Sequence, residues 1–239
     1  AADWTRSRPV ALSQAGAAST WRRTNEPVEV PLANGILDDS VVGYWKLDGG
    51  SAKGYSSIGS NGTVLGGSIP ASGAFGDEDG SIEFDGTTGY VDTGSSASLN
   101  PPSQLSVSAW FVSTDWTENR AIVSRDAGGG AANRAWHVMN GISATNLVFT
   151  IWQTDGTERQ TAYPNTNITL NAWHHVAAVA DGQAISLYLD GKRVGTPTTY
   201  SGKLQQVATS TRIGVYSDNA AHFKGRIDEV VVWNRALSP

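Results

Sequence analysis

Apolar and polar residues alternate along most of the chain beyond residue 40. "LSVSAWFVS" sets Leu105, Val107, Ala109 and Phe111 on one face, with Trp110 and Val112 on the other. "WHHVAAVAD" sets Trp173, His175, Ala177 and Val179 against His174, Val176, Ala178 and Ala180. Both of its faces are apolar or small, as expected for a strand inside a sheet covered on both sides. Asp155-Gly156, Asp181-Gly182 and Asp190-Gly191 break the runs into hairpins, because an Asp-Gly pair enters a tight turn at little steric cost. "VVGYWKLDG", "GSIEFDGTTGYVDTG", "RAIVSRD", "AWHVMN", "NLVFTIWQTDG", "STRIGVYS" and "GRIDEVVVWNRALS" complete the series. About a dozen short strands at this spacing, with no helical stripe, predict an all-β fold: a two-sheet antiparallel β-sandwich of the jelly-roll kind.

Residues 1–36 break the pattern. They hold three prolines and four arginines, and their apolar positions are too sparse for a core. We divide the chain into an extended N-terminal arm or linker, residues 1–40, and a sandwich domain, residues 41–239. Within the arm, "TWRRTNEPVEVPL" has a Val-Glu-Val alternation able to add a strand to a sheet edge. Trp21, Arg22, Arg23, Val28 and Val30 are its candidate assembly residues. The partner edge would belong to a copy of the chain or to another fibre or virion subunit.

Composition narrows the function. Nine Trp and 27 Gly suit strands and turns, and the net charge of −5 argues against nucleic acid as a partner. No apolar run approaches the roughly 20 residues that span a bilayer, so membrane insertion is not expected. The chain has no Cys, which excludes disulfides and thiolate chemistry. Its one Met is Met139 and it starts at Ala1, which reads as a processed chain or a piece of a longer product.

The ordered set "GYWKLDG", "IEFDGTTGYVDTG", "LSVSAWF", "WHHVAAVADGQAISLYLDGKRVG" and "FKGRIDEVVVWNRALS" resembles the laminin-G-like, concanavalin A-like lectin and glucanase jelly rolls. The last third is also similar to pentraxins. The resemblance spans about residues 41–239. It implies two stacked antiparallel sheets, one of them concave, and a non-catalytic recognition module for a glycan or other cell-surface ligand. Such a module would be extracellular, on a cell surface or on a virion. The rival reading is a structural subunit of an extracellular filament or phage tail, assembled through the arm.

Catalysis finds little support. Glucanases of this fold project alternating acids from one strand. Glu83 and Asp85 alternate, but the chain then turns at Gly86. Asp228 and Glu229 are adjacent, and unbroken period-two geometry sends them to opposite faces. It likewise groups Ile227, Glu229, Val231 and Trp233 against Asp228, Val230 and Val232. His174 and His175 also diverge, which spoils a shared metal site.

Sugars need an aromatic face and a few planar polar groups. Trp116, Trp136 and Trp152 lie near strand ends, with Asn133, Arg134, His137 and Gln153 close in sequence; Asp218, Asn219 and His222 join them from the loop "YSDNAAH". Trp45, Trp110, Trp173 and Trp233 are assigned to the core. The resemblance further implies a Ca²⁺ ion held by rim loops, here through Asp126, Asn133, Asp218 and Asn219. Tyr216 and Ser217 depart from the acidic run that pentraxins have before such a ligand. The alternative for these loop residues is local bonding to their own backbone.

Overall fold

The computed structural model describes residues 38–48, 61–117, 119–141, 145–216 and 220–238. Their fifteen strands form two antiparallel sheets. Sheet A runs β13 (Lys192–Thr199), β12 (Ala184–Leu189), β11 (His174–Ala180), β6 (Leu105–Ser113), β15 (Lys224–Trp233), β4 (Gly76–Asp85), β3 (Ser68–Gly73), with β1 (Val41–Trp45) also on β15. Sheet B runs β10 (Glu158–Pro164), β9 (Asn146–Trp152), β8 (Arg134–Asn140), β7 (Arg120–Asp126), β14 (Arg212–Ile213), β5 (Tyr90–Asp92), β2 (Thr63–Leu65). The described helical turns are three-residue 3₁₀ segments.

The predicted alternation sets the core. Leu105, Val107, Ala109 and Phe111 of β6 and Val176, Ala178 and Ala180 of β11 face inward. They meet Leu147, Phe149 and Ile151 of β9 and Trp136 and Val138 of β8 from the opposite sheet. All are essentially solvent-free, so the hydrophobic effect holds the two layers together. The hairpins close where the Asp-Gly pairs stand. Asp190 and Gly191 both have positive φ, 49° and 76°, the pattern of a type I′ turn between β12 and β13.

The closing strand departs from simple alternation. In its register with β6, Asp228 pairs with Trp110 and Val231 with Ser108, so one extra residue is inserted between them. Glu229 absorbs the insertion with φ of 48°. This β-bulge resets the parity of β15. Ile227, Val230 and Val232 all enter the core. The predicted grouping of Ile227 with Val231 and Trp233 is therefore corrected, as is the predicted split of the two acids. Glu229 accepts a hydrogen bond from Tyr44 Oη, while Asp228 accepts from the Ala74 amide at 3.0 Å and the Glu229 amide at 2.8 Å. Both acids lie on the outer side of sheet A and both are fully buried.

Of the four Trp assigned to the core, Trp45 lies in it. Trp233 is buried, but the bulge turns it to the outer side of sheet A. Trp110 is half-buried on that side, against Phe75 and His175 with ring centroids 5.1 Å away in each case. Trp173 is half-buried at the strand entrance, with Arg226 stacked over its ring at 5.2 Å.

Candidate functional site

A recess of about 510 Å³ opens on the outer face of sheet B. Period-two geometry builds it. Because Leu147, Phe149 and Ile151 point into the core, Val148 and Trp152 of β9 must point out. His137 and Met139 of β8, and Glu158 and Gln160 of β10, share that outward side. Arg134 joins them because a bulge between Arg125 and Asp126 shifts the β7–β8 register at this end. Tyr216, Ala220 and Ala221 form one wall, with Asn119 also on the rim. Met139, Val148 and Ala121 make an apolar floor on which Tyr216 and Ala221 pack.

Asp126 organises one end. Its side chain is wholly buried and accepts the Gly128 amide at 2.7 Å. Oδ1 faces Arg134 Nε at 3.6 Å and Oδ2 faces His137 Nδ1 at 3.8 Å; these are charge contacts rather than close hydrogen bonds. Burial pushes the carboxyl pKa up. His137, the Gly128 amide and the Tyr216 hydroxyl outweigh that effect and hold it below its ordinary value. Tyr216 and Trp152 flank His137, each with a ring centroid 5.2 Å from it. The Arg134 guanidinium lies over Trp152 at 5.4 Å and Tyr216 at 5.9 Å.

The structure sorts the residues singled out in the sequence. Arg134, His137 and Trp152 meet in the recess. Trp136 does not: it is 1% exposed and packs in the core, because parity turns it away from His137. Trp116 is also a core residue, edge-on to Phe111. Gln153 is buried and structural, bonding the Ser201 carbonyl beside the bridge to Leu204. His222 is buried against Gly89 and Tyr90, outside the recess lining. Asn133 is exposed in the 3₁₀ turn that precedes β8.

Trp152 does not offer the open stacking face that was expected. It is 2% exposed, and the Arg134 cation occupies its ring. Asp218, Asn219 and the arm residues Trp21, Arg22, Arg23, Val28 and Val30 lie outside the described residues. Of the implied calcium set, Asp126 faces Arg134 and His137 and accepts the Gly128 amide, while Asn133 is exposed in its turn. Among the described residues no cluster of three or more His, Asp or Glu has metal-binding geometry. Tyr216, Gln160, Glu158, Asn119, Met139 and Val148 were not anticipated. Gln160, Glu158, Met139 and Val148 share one signal, the outward parity of β8, β9 and β10, which becomes a site only once the three strands are known to be neighbours; Tyr216 and Asn119 come from loops and carry no such signal.

Residues 85–239 match the model of the Laminin_G_3 family, described as the concanavalin A-like lectin/glucanases superfamily. The chain belongs to this family. Laminin_G_3 covers β5 through β15 and hence every strand that lines the recess. No curated protein matches the chain. Among solved structures it is similar to domain 4 of AbnA, an extracellular arabinanase of Geobacillus stearothermophilus solved with arabinotriose. That pair has a TM-score of 0.65 at 18% identity, covering 84% of this chain and 95% of that one. It is also similar to the binding domain of Paraclostridial Mosquitocidal Protein 1, with TM-score 0.65 and 16% identity over 84% of this chain and 50% of that one. The botulinum neurotoxin serotype G binding domain gives 0.64 and 12%, over 83% and 48%. The chain thus spans about half the length of the two toxin domains. At these identities the likeness concerns the lectin-like fold.

Proposed function

We propose that this Laminin_G_3 domain is a non-catalytic carbohydrate-recognition module that binds a glycan in the recess on the outer face of sheet B. The observation behind this reading is the lining itself. An apolar floor of Met139 and Val148 and the ring of Tyr216 lie beside the polar side chains of Asn119, Gln160 and Glu158. A sugar ring presents the same combination, apolar on its C–H face and polar at its edge. The volume falls within the roughly 300–1,000 Å³ of small-ligand sites. The AbnA domain, named with arabinotriose and of the same fold, supports a saccharide as the ligand class. Its extracellular parent supports a secreted or surface-displayed setting. The acids Asp228 and Glu229 lie in the other sheet, outside the recess lining, and so do not enter the binding reading.

Glycan-array screening followed by titration calorimetry tests the proposal. Gln160→Ala removes a side chain that bonds Thr150 Oγ1 at 3.1 Å and lines the recess. It is expected to weaken the best glycan about five-fold, the worth of one hydrogen bond, and to lower the melting temperature slightly through the lost Thr150 bond. Retained affinity in the double variant Gln160→Ala, Asn119→Ala would place the glycan elsewhere and reject this site.

A further inference from the structure

We infer that the recess selects saccharides bearing a carboxylate, and that Arg134 is the residue that reads it; the inference rests on the carbohydrate reading above. The guanidinium is positioned at three points. Its Nε faces the buried Asp126 carboxylate, and its plane lies over Trp152 on one contact and Tyr216 on another. Those contacts engage the Nε edge and the π-face. The terminal nitrogens Nη1 and Nη2 make no hydrogen bond with any protein acceptor among the described residues, and the side chain remains 31% exposed in a residue that lines the recess.

The other inward-reaching arginines use their forks differently. Arg120 donates Nη1 to the Gly86 and His222 carbonyls and Nη2 to Asp115. Arg125 donates to Thr211 and to the Ser95 and Val207 carbonyls. Both are structural ties. Arg212 repeats part of the Arg134 arrangement, with Nε facing Asp92 at 3.7 Å and its cation over Tyr90, but it does not line the recess. Arg134 alone of these four joins a held guanidinium plane to a cavity.

A guanidinium with two parallel N–H groups matches the two oxygens of a planar carboxylate. Packing the guanidinium against two rings reduces the rotamer freedom lost when that bidentate contact forms. Asp126 lies behind Nε and offsets part of the charge, yet at 3.6 Å it leaves the fork unused. Glu158 is the opposing influence. It lines the same recess, is exposed, and forms no ion pair with Arg134. Its charge weakens an incoming anion without abolishing the preference.

The test uses the full chain and an array of uronic and other carboxylated glycans. Each is paired with its methyl ester, which keeps the ring and removes the charge; sulfated glycans are included. The expected result is at least about ten-fold tighter binding of an acid than of its ester. Arg134→Lys keeps the charge but loses the fork, and is expected to bring acid and ester within about three-fold of each other, chiefly by weakening the acid. Glu158→Gln removes the charge and is expected to raise the preference for acid over ester two- to three-fold, about the size of an exposed charge effect. Equal binding of acids and esters in the recess overturns the carboxylate inference and leaves the carbohydrate reading standing. Preference for sulfated glycans alone also overturns it. Binding of no glycan overturns both. Melting curves of the variants separate lost recognition from lost folding.

Discussion

His174 and His175 are neighbours in sequence with opposite electrostatic fates. His174 Nδ1 pairs with Asp190 at 2.7 Å and its Nε2 meets the Thr169 carbonyl at 3.0 Å; the Asp190 bond raises its pKa above 6.5 despite partial burial. His175 turns to the other face, beside Trp110, and burial pushes it down to about 4. The signs differ accordingly. Stability from His174 is fully present below the unfolded value and is lost as pH rises through the raised one. His175 must stay neutral to remain buried, so stability is lost as pH falls from about 6.5 to about 4. Denaturant melts of wild type and His175→Gln across this window should converge at low pH, with a pH-dependent difference of roughly 2–3 kcal/mol. A constant offset would sink the assignment. The facing of both histidines was legible from alternation. The bulge at Glu229 was not, because an extra residue leaves the apolar pattern of "VVVW" intact while reversing which side each Val faces.

At the scale of elements, the strands and their hairpin turns follow from pattern, since Asp155-Gly156, Asp181-Gly182 and Asp190-Gly191 each sit where a strand ends. Contact between non-adjacent strands does not. β10 and β13 are the edges of different sheets, yet Thr161 Oγ1 donates to the Thr196 carbonyl at 2.9 Å and Thr198 Oγ1 to the Gln160 carbonyl at 2.7 Å. These bonds sew the open edge of the sandwich and fix the strand bearing Glu158 and Gln160. Gly195 permits the approach: its φ is 67°, and an added Cβ would stand 2.4 Å from the Ala162 carbonyl oxygen. Gly195→Ala is expected to cost roughly 3 kcal/mol and to speed amide exchange in β13 and β10. Gly94→Ala, also at positive φ but facing open space, should cost only about 1 kcal/mol. Equal losses in the two variants would refute the role of the Gly195 contact.

At the scale of the whole molecule, fold class was readable and sheet order was not. A strand's period says which residues share a face; it does not say which strand lies beside it. The candidate ligand set was therefore assembled largely from neighbours in sequence, Asn133, Arg134, Trp136, His137, Trp152 and Gln153, with Trp116, Asp218, Asn219 and His222 added from elsewhere. The recess instead takes outward residues from three strands and a wall from Tyr216, Ala220 and Ala221, while Trp136 and Gln153 serve the core and the β9 terminus. Arg134, His137 and Trp152 belong to both sets; Arg134 and Trp152 are the outward residues nearest their strand ends.

The position of β15 bears on how the protein is made. It lies in the interior of sheet A, joined to β6 along one side and to β4 and then β1 along the other. It is also the last of the fifteen strands to leave the ribosome. Until it arrives, β6 and β4 each present an unpaired edge to the cytosol or translocon, and β1 has no partner among the described strands. Native packing of sheet A must then wait until β15 has been made, with the nascent domain dependent on chaperones meanwhile. A chain terminated after Phe223 is expected to aggregate or be digested within minutes in limited proteolysis. A soluble, protected fragment would show that sheet A can close without its central strand.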